Sequence, residues 1–453
     1  MPNLVLKSRV PSLAAAQALA PQVTVPVALP ELVGRSCHLE TYEKRAVPAI
    51  EVEAKARIIA YASPDSTFAV TRRLIDAARK SIVIGIYDFT APYMEELLLA
   101  AMARKVRVTL MLDIDSKGES DMFDRLVQMG VRGVSAPSCA NPTVRLFSSS
   151  HEKVIVIDGK WVLVQSGNYS ANSIPMNVVD GGGDGAAFRP GNRDTGVAIE
   201  SSALARFFTE VLEADMARVD AVPEMLRRPV DEDFFLVERA PTKRPARLFP
   251  SQTFELESPL KVQPVLSPDN YMDVIPGLLA KARKSILIEQ QYIRSSQPLI
   301  TKLLEAIAKA QAAAPELDVR IVLGKVFSSQ DIPNEKKNLK NLAAQYGLKL
   351  GKHIRYINTD EFVHCHNKMI IVDGKRVLIS SQNWSDSAVS KNREAGVWLA
   401  HKGIAEYFTQ IFENDWKSAF RKLPEIGAPE AMTAESLAGG GFVRVERGDY
   451  EEV

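Results

Sequence analysis

One stretch constrains this chain more than any other. HEKVIVIDGKWVLVQSGN at residues 151–168 returns as HNKMIIVDGKRVLISSQN at residues 366–383. Each landmark keeps its spacing: His151 and His366, Lys153 and Lys368, Asp158 and Asp373, Ser166 and Ser381, Asn168 and Asn383. Two copies this far apart predict two like halves, each contributing one side of a single site.

Within each copy, apolar runs rich in β-branched residues (154–157 and 161–164; 369–372 and 377–379) flank Asp158-Gly159 and Asp373-Gly374. That pattern predicts a hairpin. With Gly159 and Lys160 as the loop, Asp158 pairs with Trp161, Lys153 lies opposite Ser166, and His151 opposite Asn168. Lys368 and His366 then oppose Ser381 and Asn383. Strand side chains alternate faces, so His, Lys, Ser and Asn converge at the open end of each hairpin. Asp158 and Asp373 fall on the other parity, as scaffold or turn residues, and Cys365, Tyr169 and Trp384 turn away likewise.

A longer repeat encloses the hairpins. Residues 58–89 are echoed by residues 262–293: each has Ser-Pro-Asp, apolar residues at helical spacing (Leu74, Ile75, Ala78; Leu278, Leu279, Ala282), and ARKSI entering an apolar strand. The proline suits the first positions of a helix. Further helices are expected over 93–104 and 298–312, 121–129 and 335–346, and 203–216 and 404–416. Strands are expected over 106–112 and 319–323, with short ones over 143–146 and 353–356. Helices and strands alternating this way predict an α/β fold with a largely buried sheet in each half. The halves are placed at 56–222 and 262–424, with an N-terminal arm over 1–55, a linker rich in Pro and charge over 223–261, and a tail over 425–453.

A formal net charge of +1 supplies no basic field for nonspecific nucleic-acid binding, although a local groove is compatible with it. Three dispersed cysteines, Cys37, Cys139 and Cys365, argue against a disulfide framework and for a reducing compartment. No apolar run approaches the roughly 20 residues of a membrane span. Residues 13–20, preceded by Lys7 and Arg9, allow a signal peptide, against a poorly ordered or surface-docked N-terminal arm. The expected setting is cytoplasmic or peripheral to a membrane.

Beyond each Asn an acid returns in a shared context, Asn192-Arg193-Asp194 and Asn392-Arg393-Glu394, with an insertion over 173–190 in the first half. An acid on a histidine's Nδ1–H fixes the tautomer and leaves Nε2 for chemistry. Paired lysines, hydroxyls and amides suit a phosphate whose negative charge grows in the transition state, and two histidines can divide nucleophilic and acid–base work. No carboxylate cluster has metal-ligand spacing, so neither metal nor cofactor is expected, and His364 with His366 is weighed as a metal pair only to be set aside.

These motifs resemble the paired HxKxxxxD and GSxN motifs of the phospholipase D superfamily, a resemblance that covers residues 56–422. Gln165 and Ser380 stand where that family commonly has Gly. The resemblance implies two pseudo-symmetric α/β/α sandwich halves with the active site at their interface. It casts His151 as nucleophile and His366 as general acid. Lys153, Lys368, Ser166, Ser381, Asn168 and Asn383 become phosphate binders, with Asp194 and Glu394 as the histidines' partners. The expected activity is that of a phosphoric diester hydrolase acting on phospholipid, by hydrolysis or transphosphatidylation, at a peripheral membrane contact. The stretch 285–293 leans toward lipid, whereas 81–90 and 383–397 lean toward the nuclease branch, with nucleic acid as alternative substrate. An inactive scaffold is the third reading. Apolar residues of the insertion, Ile174, Pro175, Met176, Val178 and Val179, form either a lipid-facing lid or a packed surface loop.

Overall fold

The computed structural model describes residues 37–183, 185, 187–220, 235–327 and 331–424, with the short strands Val23–Thr24, Ala431–Met432 and Phe442–Glu446. The stretch at 13–20 and most of the expected tail lie outside the described residues.

Two eight-stranded sheets follow one plan. The first runs Gln252–Glu255, Arg57–Ser63, Asp194–Glu200, Trp161–Gln165, Lys153–Ile157, Ser81–Ile86, Arg107–Leu112, Arg132–Ser135. The second, in the matching direction, runs Ile50–Val52, Leu260–Ser267, Glu394–Leu399, Arg376–Ser380, Lys368–Val372, Ser285–Gln290, Asp318–Leu323, Ile354–Tyr356. One edge strand of each sheet is borrowed. Gln252–Glu255, which precedes the second half, pairs with Arg57–Ser63, and Ile50–Val52, which precedes the first, pairs with Leu260–Ser267.

Both faces of each sheet are covered, which is why the strands read as continuous apolar runs. On the outer face of the first sheet, Ile82, Ile84, Ile155 and Leu163 meet the helices Thr67–Ala77, Pro92–Ala103 and Lys117–Gln128. The second sheet packs in the same way on Tyr271–Leu279, Pro298–Ala313 and Ile332–Tyr346. The inner faces share one core. Val154, Val156, Met369 and Ile371 pack there with apolar residues of the closing helices Ser202–Asp220 and Lys402–Ser418. A core common to both sheets makes the interface between halves a rigid place to build a site.

Several local expectations are corrected. The hairpin register differs by one residue: Ile157 pairs with Trp161 and Val154 with Val164, and Val372 pairs with Arg376. Asp158 and Gly159 take the two left-handed positions of the turn, φ 55° and 62°, and Lys160 N–H closes it on the Ile157 carbonyl at 3.0 Å. Asp158 thus joins Gly159 and Lys160 in a three-residue loop, and Ser166 and Asn168 lie beyond the paired strand. The expected strand at 143–146 is a turn, because Asn141 Oδ1 accepts from the N–H groups of Thr143 and Val144 at 2.9 and 3.0 Å. The edge strand there is Arg132–Ser135, parallel to Arg107–Leu112. The helices after Ser-Pro-Asp begin at Thr67 and Tyr271, past the proline.

Cys37 and Cys139 form a disulfide across 102 residues of sequence, contrary to the expectation drawn from their spacing. The segment after Cys37 folds back along the first half, with Glu40 N–H on the Arg145 carbonyl at 2.8 Å and the Tyr42 ring edge-on to Phe147 at 5.1 Å. That return brings the two Cα atoms to 5.8 Å, a normal bridging distance. Cysteine usage therefore gives no support to a reducing compartment. Among the described residues, no helix is long and apolar enough to cross a membrane.

Candidate active site

The hairpin mouths meet where the halves exchange backbone. His151 N–H donates to the Arg393 carbonyl at 2.7 Å, and Arg393 N–H to the Ser149 carbonyl at 2.8 Å. The mirror exchange sets Arg193 N–H on the His364 carbonyl at 2.8 Å and His366 N–H on the Arg193 carbonyl at 3.1 Å. Each is a parallel bridge, Ser150 with Arg393 and Arg193 with Cys365.

These exchanges set each histidine beside the other half's acid. His151 Nδ1 lies 2.9 and 2.8 Å from the two carboxylate oxygens of Glu394, and His366 Nδ1 lies 3.1 Å from Asp194 Oδ1. The sequence brought the four residues together without saying which acid serves which histidine; the pairing is crossed. All four are buried. Burial pushes His151 down to about 4 against the pull of Glu394. It also drives His366 well below the usual imidazole range, with Lys368 and Lys153 adding to the effect. Burial lifts Asp194 to about 6, opposed by Lys368 and Ser166, and lifts Glu394 although His151 opposes it. Every group moves toward its neutral form, so both imidazoles are neutral near pH 7. With Nδ1–H on a carboxylate, Nε2 holds the lone pair. His366 Nε2 is buried with no hydrogen-bond partner among the described residues.

Each motif lysine folds under its own histidine: Lys153 Nζ donates to the His151 carbonyl and Lys368 Nζ to the His366 carbonyl, both at 2.7 Å. Tyr87 backs the first pair, 5.4 Å from Lys153 Nζ and edge-on to His151 at 5.1 Å. Asn168 and Asn383 are buried just past the serines. The serines, expected at a phosphate, also contact the acids. Ser166 Oγ donates to Asp194 Oδ1 at 2.8 Å, and Ser381 Oγ to Glu394 Oε2 at 2.5 Å. A hydroxyl has one proton to give. In this structure Ser166 and Ser381 give that proton to the acids. Gly167 lets this happen in the first half, because a Cβ there would sit 2.8 Å from Asp194 Cγ.

Asp158 and Asp373 act on backbone. Asp158 accepts from the N–H groups of Arg79, Lys80 and Ser81 at 2.6 to 3.2 Å, and Asp373 from those of Arg283, Lys284 and Ser285 at 2.7 to 3.3 Å. Partial burial raises both carboxyls, but these donors outweigh it and hold them below the ordinary value. The turn of each hairpin is thereby tied to the ARKS segment of the neighbouring strand.

Sequence reasoning missed the arginines. Arg193 is fully buried, with Nε on Asp415 Oδ2 at 2.6 Å, Nη2 on Asp415 Oδ1 at 3.2 Å and Nη1 on the Ser63 carbonyl at 2.7 Å. Arg393 repeats this with Asp215, at 2.7 and 3.0 Å, and adds Asp269 at 2.6 Å and the Tyr42 hydroxyl at 2.7 Å. Each arginine adjoins an acid paired with a histidine, Asp194 or Glu394, and binds a helix of the opposite half. The signal was present in the repeated Asn-Arg-acid context and in the repeated Ser-Pro-Asp, whose Asp65 and Asp269 flank these guanidiniums.

In the insertion, Ile174 and Pro175 are buried and Ile174 joins the first-half core, while Met176, Val178 and Val179 are exposed at 37%, 55% and 54%. Its base is pinned, with Asn177 Nδ2 on the Pro64 carbonyl at 2.7 Å and Asn192 Nδ2 on Ser173 Oγ at 3.0 Å. Cys365, Tyr169 and Trp384 are buried away from solvent, and Trp384 Nε1 donates to the Tyr271 hydroxyl at 3.0 Å. Among the described residues no group of three or more His, Cys, Asp or Glu is arranged to hold a metal ion.

The family described as cardiolipin synthase, PLD-like domain, matches residues 71–216 and 275–416. The DISARM protein DrmC of Bacillus paralicheniformis is 33% identical over 119 residues, 25% of this chain and 47% of that protein. This chain thus matches about half the length of that relative. Among solved structures, phosphatidylserine synthase from Haemophilus influenzae superposes with a TM-score of 0.56 at 15% identity, covering 84% of this chain and 91% of the other. Nuc from Salmonella typhimurium, a phospholipase D family member, is 23% identical and covers 35% of this chain and 92% of its own, with a TM-score of 0.29.

Proposed function

We propose, from the premise that this chain belongs to the family described as cardiolipin synthase, PLD-like domain, that it cleaves a phospholipid phosphodiester through a phosphohistidine intermediate. The observation that carries the reading is the crossed pairing of His151 with Glu394 and His366 with Asp194. It presents two imidazoles from opposite halves, each with Nδ1 engaged and Nε2 left for chemistry.

In this reading His151 Nε2 attacks phosphorus. The P–N bond forms as the P–O bond to the departing alcohol breaks, and His366 gives that oxygen its proton. The bound phosphodiester's negative charge raises the proton affinity of His366 from its low value in the unliganded site. Lys153, Lys368, Asn168 and Asn383 stabilise the equatorial oxygens. Water then attacks, passing its proton to His366 as the P–N bond breaks. An alcohol in place of water makes the same step a transfer. Asp194 and Glu394 are positioning residues, each set in turn by a serine.

Two further observations support a single-phosphate substrate of the lipid class over a nucleic acid. The buried guanidiniums beside the site are neutralised by Asp415, Asp65, Asp215 and Asp269, so they do not extend a phosphate-binding groove. The exposed Met176, Val178 and Val179 provide an apolar surface for peripheral membrane contact. Purified protein with phospholipid vesicles, single-stranded DNA and duplex DNA, in EDTA, tests the class: phosphatidate release is expected. DNA cleavage without lipid turnover would overturn it. A p-nitrophenyl phosphodiester tests the histidine roles, because its departing group needs no acid. His366→Ala should then accumulate phosphoenzyme on His151, and label on His366 in His151→Ala would reverse the assignment.

A further inference from the structure

We propose that His364 is a specificity-determining residue whose Nε2–H donates a hydrogen bond to an oxygen on the departing alcohol of the substrate. The inference rests on the phosphodiesterase reading above and adds the chemistry of the group selected. His364 stands two residues before His366 on backbone extended by the parallel bridge between Cys365 and Arg193. Both imidazoles therefore leave the same face. If His151 attacks, the departing alcohol lies on the His366 side, which is also the side of His364.

The tautomer of His364 follows from its partner. The N–H of Lys325 donates to His364 Nδ1 at 3.2 Å. A backbone amide can only donate, so Nδ1 is the acceptor and the neutral ring carries its proton on Nε2. The ring stays neutral because burial, then Lys325, His366 and Lys368, hold its pKa well below the usual value. His364 is 1% exposed, and its Nε2 has no hydrogen-bond partner among the described residues. A buried donor without an acceptor is destabilising unless a ligand completes it.

The surrounding chain is shaped to this ring. At Gly324, just past the strand Asp318–Leu323, a Cβ would fall 2.3 Å from His364 Cε1. Phe327 packs against the imidazole with 4.7 Å between ring centroids. The first half fills the equivalent places differently. Asp113 follows Arg107–Leu112, Ser149 stands two residues before His151, and Ser149 Oγ bonds Asp113 Oδ2 at 3.1 Å. There the serine's donor is satisfied within the protein; in the second half the imidazole donor has no acceptor among the described residues. A neutral N–H rewards a hydroxyl or carboxylate oxygen and offers nothing to an alkyl chain or a quaternary ammonium.

Phosphatidylethylene glycol and phosphatidylethanol, whose departing alcohols differ by one hydroxyl, provide the test as pure vesicles, with phosphatidate release as readout. Wild-type protein is expected to favour the glycol ester in kcat/KM by about tenfold, the scale of one hydrogen bond. His364→Leu should turn over phosphatidylethanol as the wild type does and lose the preference. His364→Gln, whose amide can donate, should keep part of it and decides the matter should the leucine variant not fold. Equal loss on both esters, an unchanged preference in the variants, or no preference in the wild type overturns the proposal while leaving the phosphodiesterase reading intact. Release from neither ester by the wild type sinks that reading, and this one with it.

Discussion

Arg193 of the first half closes a bidentate pair with Asp415 of the second, Nε to Oδ2 at 2.6 Å and Nη2 to Oδ1 at 3.2 Å. Both side chains are fully buried, so removing one partner strands a charge in the interface. Arg193→Met is expected to cost about 3–5 kcal/mol in urea unfolding. Asp415→Asn should cost far less in that background than alone, and additive losses would show that the pair is not coupled.

Crossed acids predict unequal effects of conservative substitutions. Glu394→Gln leaves His151 without the carboxylate that fixes its tautomer, and should slow formation of the phosphoenzyme about a hundredfold or more on any substrate. Asp194→Asn acts through His366, so it should slow cleavage of an alkyl phosphodiester while sparing release of p-nitrophenol in a pre-steady-state burst. Identical profiles for the two variants would contradict the division of roles.

Three amide donors on Asp158 tie the hairpin turn to the neighbouring strand. Asp158→Ala is expected to lower stability by about 1–2 kcal/mol, the scale of a lost cap, and to leave kcat unchanged well below the melting temperature. A fall in kcat at constant fold would make this residue more than scaffold.

Glu152 lies between His151 and Lys153 and is buried, its Oε2 accepting from Ser150 Oγ at 2.9 Å. Burial raises its pKa from 4.5 to about 7, with Asp215 adding to the shift. A carboxyl whose folded pKa lies above its unfolded one contributes its full stability below the unfolded value. That contribution is lost as pH rises through the folded value. Wild-type stability should therefore decline as pH rises from 4.5 through about 7, by an amount on the order of a few kcal/mol. Glu152→Gln should flatten that part of the curve in denaturant titrations at several pH values.

Much of this could be read from residue order because the repeat is strong where geometry is local. The hairpins and the place of Asp158 and Asp373 at their turns follow from period and parity, and the duplicated contexts point to the gathering of His151, His366, Asp194 and Glu394. The register missed by one because Asp158 itself takes a left-handed conformation, which spacing alone does not reveal. The contacts of the serines with Asp194 and Glu394 were not foreseen, because a hydroxyl beside a histidine suits a phosphate or an acid equally well. The Cys37–Cys139 bond and the Arg193 and Arg393 pairs depend on which distant segments meet, and no local pattern encodes that. Even so, the arginines and their acids recur in both halves, and a search for repeated charged positions would have found them.

Because each acid serves the opposite histidine, neither half holds a complete set of reagents. A symmetric pair of identical half-length chains would satisfy the same geometry, every chain completing its twin. Joining the two in one polypeptide lifts the requirement that both sides be alike. One strand end can then keep a self-contained Asp113–Ser149 bond while the other opens a glycine for His364, so the molecule can tell one arm of a diester from the other. Fusion, on this view, is the source of polarity in a site whose machinery is otherwise two-fold.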